Sequence, residues 1–249
     1  MNTALTLRFD GRAYHGWQIQ KNAVSVCGTL KAALEKTLGR IVTLHGCGRT
    51  DAGVHAETYV TNFRGECPIP PERLPYALNG RLPRDIAVLS AKTVPDAFHA
   101  LNSCLEKQYT YRIYTGQTRD PFWEGRALHH ARALDLDAMR RAAREFVGTH
   151  DFACVRTLGT PVKSTVRTLF AFEVGERDGL VEFVMSANGF LYNMARALAG
   201  TLLWVSEGKV TDVPALIRSG DRSAAGPVLP PHGLYMTGVW YGQTGERHA

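Results

Sequence analysis

Alternation of apolar and polar positions opens the chain, putting Leu5, Leu7 and Phe9 on one face of a strand over 4–9 that Asp10-Gly11 closes. The period then lengthens. Val26, Leu30, Leu34 and Leu38 recur four apart behind Ser25, which predicts a helix over 26–38 capped by the Ser25 hydroxyl and stopped by Gly39. Strand patterning returns over 41–47, 58–64 and 86–94, with a short helix after Pro71. In "LEKQYTYRIYTG", Tyr109, Tyr111 and Ile113 share one strand face. Asp135 is placed to cap the helix "LDAMRRAAREFVG", which Gly148 ends. Strands over 166–174 and 180–187 follow, then a helix through "NGFLYNMARALAGTLLWVSEG" with Met194, Leu198, Leu202 and Val205 on its core stripe. A short helix near 212–219 and a last strand, "LYMTGVWY", complete the pattern.

Strands that follow one another directly predict an α+β fold: a mixed, mainly antiparallel sheet with helices packed on it. Both parts of the chain use similar elements. A seam near residues 100–108 divides it into 1–103 and 104–249.

Size and composition narrow the class. At 249 residues and 21% charged, the chain has length for a real core and reads as a soluble globular protein. No apolar run reaches the ~18 residues of a membrane span, and the first residues read as a strand, not a signal peptide. The cysteines at 27, 47, 67, 104 and 154 lack any C-x-x-C pair, so reduced thiols in a cytoplasmic protein are expected, with no metal site. Of the 29 basic residues 22 are Arg, whose planar fork matches phosphate and stacks on bases. With a net charge of +6, this suits a folded surface for a polyanion.

One stretch departs from the apolar pattern. "GRTDAGVHA" (48–56) sets Arg49, Asp51 and His55 between two strand-like runs, with Val54 its one bulky apolar side chain. Thr50-Asp51-Ala52-Gly53 is sound turn chemistry, and most turn aspartates only satisfy backbone. Two further polar groups on the same turn make it a candidate site.

The same stretch resembles the signature of the TruA family of tRNA pseudouridine synthases. Other marks of that family follow in order along the chain: Phe9-Asp10-Gly11 with Tyr14-His15-Gly16-Trp17-Gln18, Leu78-Asn79, Leu82-Pro83-Arg84-Asp85-Ile86 and Phe98-His99-Ala100. Later come Tyr109, Tyr111 and Ile113; Gly148, His150, Asp151 and Phe152; Asn188, Phe190, Met194-Ala195-Arg196 and Gly200; and Gly233-Leu234-Tyr235. Three positions depart from the pattern: Leu101 where an Arg usually follows "FHA", Cys27 in place of Gln, and Val155 where an aromatic often stands. None removes a catalytic group.

The resemblance implies two subdomains flanking a central active-site cleft. It implies a cofactor-free isomerisation of uridine to pseudouridine at positions 38, 39 and 40 of the tRNA anticodon arm, by a homodimer. In that reading Asp51 is the nucleophile, Arg196 its cationic partner, and Tyr109 stacks on the target base and assists removal of the C5 proton. Leu234 walls the pocket; Arg49 is either the rival cationic partner or a contact to the RNA backbone, and His55 is a turn or RNA contact rather than a base. Two other readings compete on the residues alone: an inactive RNA-binding protein of the same fold, and a glycosidase or nuclease pairing Asp51 with Glu57. Hydrolases of the latter kind need a paired acid or a metal.

Overall fold

The computed structural model describes residues 1–159 and 161–242. Two compact units share the chain. The first comprises Met1–Leu105 together with the chain from Tyr235, and the second Glu106–Leu234. The first part of the chain therefore recovers its last strand from the far end of the sequence, a return that the expected seam after residue 103 does not include.

In the first unit, β1 (Asn2–Phe9) is followed by a 3-10 turn, Gly11–Ala13, and by α1 (Val26–Leu38). Next come β2 (His45–Gly46), β3 (His55–Arg64), α2 (Leu74–Asn79) and β4 (Ile86–Val94). The strands lie in the order β4-β1-β3, antiparallel throughout, and β2 pairs antiparallel with β3. α1 starts as patterned: Ser25 Oγ accepts from Gly28 N at 3.2 Å, and Gly39 ends the helix at φ +67°. Leu5, Leu7, Leu30, Leu34, Tyr59, Phe63, Leu74 and Leu78 are fully buried and form the core of this unit.

The second unit holds β5 (Cys104–Tyr114) from Glu106 onward, β6 (Leu128–His129), α3 (Leu136–Glu145), β7 (Gly148–Asp151), β8 (Val166–Arg177) and β9 (Leu180–Ala187). Its helices α4 (Met194–Ser206) and α5 (Val213–Ser219) precede β10 (Leu234–Tyr241), which pairs in parallel with β3 of the first unit from Tyr235 onward. Here the order is β5-β9-β8-β7, antiparallel, with β6 parallel to β5. α3 packs on β8 and α4, its Asp135 cap accepting from Ala138 N at 2.9 Å, and Phe146 meets Phe172 with ring centroids 6.1 Å apart. The protein is thus α+β with a mainly antiparallel sheet arrangement and packed helices. Among the described residues no helix is long and apolar enough to cross a membrane.

Two expected elements shrink, for identifiable reasons. Of the strand expected over 41–47 only His45–Gly46 pairs. The segment before it is tied by side chains instead: Val42 N donates to Glu35 Oε1, and the Arg40 guanidinium donates to the carbonyls of Ile41, Arg64 and Glu66. The helix expected from residue 188 begins only at Met194, because Asn193 takes a left-handed conformation (φ +61°) that no α-helical turn continues through.

Candidate active site

Between β2 and β3 the polar loop is held by backbone groups and by the side chains of His55 and Tyr59. Val54 N closes a turn onto Asp51 O at 3.2 Å, with Gly53 supplying φ +79°. That turn is fastened to the segment after β1 at three points. Gly53 N donates to Tyr14 O (3.1 Å), Trp17 N to Thr50 O (3.3 Å), and Gly11 N to His55 Nδ1 (3.2 Å). Tyr59, stacked on Trp17 at 4.2 Å, donates its hydroxyl to Gly48 O.

The two segments approach so closely that side chains are excluded. A Cβ on Gly11 would lie 1.9 Å from Val54 O, and one on Gly16 (φ +80°) would lie 2.1 Å from Thr50 O. The bracing segment is itself fixed: Tyr14 Oη donates to Asp85 Oδ1 at 2.6 Å, and Asp10 N to Asp85 O at 2.8 Å. Burial and the nearby Asp85 carboxylate push the Tyr14 hydroxyl well above its ordinary range, so it stays a donor.

Asp51 sits half-buried at the apex of this loop, with Arg49 exposed before it and Thr50 buried. The Thr50 hydroxyl is buried with no hydrogen-bond partner among the described residues. His55 is 3% exposed. Its ring stacks on Tyr235 at 4.6 Å, and its Nδ1 lies 3.3 Å from Asp10 Oδ1. Burial raises the Asp10 carboxyl, but hydrogen bonds from the Arg12 side chain and backbone bring it below its usual value.

In the second unit Tyr109 lies on β5 opposite Met185, nearly buried, with Phe190 edge-on to its ring at 4.9 Å. Arg196 occupies the first turn of α4. Its Nε donates to Leu229 O at 2.6 Å and its Nη1 to Asn193 Oδ1 at 3.0 Å, while Asn193 Nδ2 donates to Thr157 Oγ1. The left-handed Asn193 that delays the helix is therefore the residue that orients the guanidinium. Leu234 is buried at the start of β10. The turn before it is pinned by Tyr111 Oη, which donates to Pro230 O at 2.9 Å, and by Gly233, whose Cβ would meet the Tyr111 ring at 2.7 Å. Burial pushes the Tyr111 hydroxyl up, against the opposing charge of Arg196.

Arg49, Asp51 and His55 thus share one braced loop, while Tyr109 and Arg196 belong to the second unit with Leu234 as its final residue. The sequence reading did not foresee the brace itself. Its signal was present in "GRAYHGW", where two glycines stand among Tyr14, His15 and Trp17 at a spacing that neither a helix nor a strand explains.

A family model described as tRNA pseudouridine synthase matches residues 6–101 and 142–242. The protein named tRNA pseudouridine synthase A in Thermoanaerobacter sp. (strain X514) is 41% identical over 242 residues, covering 96% of this chain and 99% of its own. That of Ruminiclostridium cellulolyticum is 41% identical over 240 residues, covering 95% and 98%. That of Bacillus velezensis is 41% identical over 246 residues, covering 97% and 99%.

Proposed function

The chain belongs to the TruA family of tRNA pseudouridine synthases, which are isomerases, and from that premise we propose that Asp51 is its nucleophile, acting on uridines 38, 39 and 40 of the tRNA anticodon stem-loop. The observation that carries the assignment is the brace. Three hydrogen bonds from another segment and two glycines that admit no Cβ fix the backbone on both sides of this one carboxylate. Such preorganisation is what a group that must meet a reacting carbon requires, and a turn aspartate needs none of it.

The reaction exchanges no electrons and no net atoms. The N1–C1′ bond breaks, the uracil turns, C5 bonds to C1′, and the proton lost from C5 is balanced by one gained at N1. The Asp51 carboxylate serves either by adding to the uracil ring or by bonding to C1′ as the glycosidic bond opens. It must be ionised for both. Arg196 is its cationic partner, the guanidinium fork oriented by Leu229 O and Asn193 Oδ1.

Tyr109 stacks on the extruded base and assists removal of the C5 proton. A phenol is a weak base near neutral pH, so a water or neighbouring acceptor shares that step. Leu234 walls the base, and Arg49, exposed beside the nucleophile, contacts the RNA backbone. Extruding a stacked uridine costs on the order of a few kcal/mol, supplied by contacts to the rest of the stem. The family resemblance supports a homodimer working in the cytoplasm without a cofactor.

Asp51→Asn tests the assignment. The amide keeps the volume of the side chain but can neither bond to carbon as an anion nor balance positive charge at C1′. Pseudouridine formation should fall by more than the ~10²–10⁴-fold typical of an auxiliary acid–base group, with tRNA affinity and melting temperature nearly unchanged. Retained turnover in contaminant-free protein would remove Asp51 from the mechanism.

A further inference from the structure

His55 is a buried imidazole for which the proposed chemistry has no step. Of the two expected roles, turn contact or RNA contact, the second fits poorly: only 3% of His55 is exposed, and both its ring face and its Nδ1 are engaged inside the first unit. We infer that His55 is a positioning residue for Asp51, holding the far end of the nucleophile loop through the hydrogen bond from Gly11 N to its Nδ1. The inference rests on the assignment of Asp51 as nucleophile.

The chain of contacts is short. Gly11 N donates to Nδ1, so that nitrogen carries the lone pair and the neutral ring keeps its proton on Nε2. Gly11 cannot be replaced in this arrangement, because any Cβ would strike Val54 O, the carbonyl one residue before His55. Val54 N in turn closes the turn onto Asp51 O. A displacement of the imidazole therefore reaches Asp51 through two peptide units, both already in contact with the bracing segment.

The Asp10 carboxylate competes for the same Nδ1 at 3.3 Å but is held by three contacts from the Arg12 side chain, at 2.6 to 3.0 Å. Arg12 thus keeps Asp10 occupied and leaves Nδ1 to accept from Gly11. Tyr235 stacks on the ring and fixes its plane. The segment from Gly11 to Trp17 thereby finds its use: it is a template against which the loop is set.

Three variants separate this role from plain structural support. In His55→Asn the side-chain oxygen falls near the place of Nδ1 and still accepts from Gly11 N. In His55→Gln the amide reaches one carbon too far. His55→Phe keeps the ring on Tyr235 and offers no acceptor. A misplacement of about 1 Å at a reacting group costs on the order of 10²-fold in rate. The Phe and Gln variants should accordingly lose about that much kcat with KM for tRNA within threefold, and Asn should restore kcat to within a few-fold.

If the Phe variant melts below the assay temperature, the contrast between Asn and Gln decides the matter. Wild-type kcat in folded Phe and Gln variants would overturn the inference, as would Asn being as slow as Gln. Equal losses of kcat and tRNA affinity would instead return His55 to the RNA surface. Asp51→Asn is assayed alongside: if it is active, the reading of the nucleophile fails, and if it is inactive while His55→Phe is active, only the role of His55 fails.

Discussion

The loop that carries Asp51 and the helix start that carries Arg196 solve the same problem by opposite means. Around Asp51 the backbone is what is fastened: donors from Gly53 and Trp17 meet acceptors at Tyr14 and Thr50, the His55 ring and the Tyr59 hydroxyl add one bond each, and glycines stand where the strands of backbone nearly touch. Around Arg196 it is the side chain itself that is held, by one backbone carbonyl and by an Asn that a left-handed conformation has turned toward it. A short carboxylate has little freedom of its own, so fixing its backbone fixes the group. A guanidinium on a long stem has several rotatable bonds, and only direct contacts at the fork can hold it.

The contrast predicts which kind of substitution harms each region. The largest effect belongs to Gly16→Ala. It places a Cβ 2.1 Å from Thr50 O at φ +80°, and neither backbone can retreat without moving the Asp51 turn. We expect a loss of about 2–4 kcal/mol in stability together with most of the turnover. Unfolding and pseudouridine assays on one preparation check both, and a fully active Gly16→Ala protein would show that the brace is not needed.

Arg196→Lys comes next. It keeps the positive charge but cannot donate to Leu229 O and Asn193 Oδ1 in one planar geometry. Turnover should fall by about 10–10²-fold with little change in tRNA affinity. Unchanged kcat would mean that charge suffices and orientation does not matter.

The smallest effect, of opposite sign, is Thr50→Val. Because the loop is held through the Thr50 carbonyl and not its hydroxyl, removing the buried, unpartnered Oγ1 should stabilise the protein by about 1 kcal/mol, with kcat unaltered. A fall in kcat would show that the hydroxyl joins the chemistry once RNA is bound.

Much of this was readable in advance. The caps at Ser25 and Asp135 and the stop at Gly39 are local signals, written within a few residues of the element they bound. The two-residue β2 was not readable as such, because Arg40 and Glu35 withdraw its neighbours through contacts that no periodicity records. The late start of α4 was hidden for a related reason. Asn193 breaks the helix in order to serve Arg196 and Thr157, and its sequence context reads as helical.

Of the proposed site, "GRTDAGVHA" stands out in the sequence by polarity, and Arg196 only through the family pattern. The burial of His55 was illegible because it depends on Tyr235, distant in sequence and brought alongside by β10.

That parallel strand has a temporal meaning. Synthesis proceeds from the N-terminus, so β1, β3 and the braced loop emerge early, while the strand that lies beside His55 emerges after the whole second unit. Pairing across so long a stretch of chain is slow to form, since the ends must find each other after much has folded between them. A nascent chain arrested before residue 234 would carry the aspartate and its glycines but not the tyrosine against which the imidazole rests.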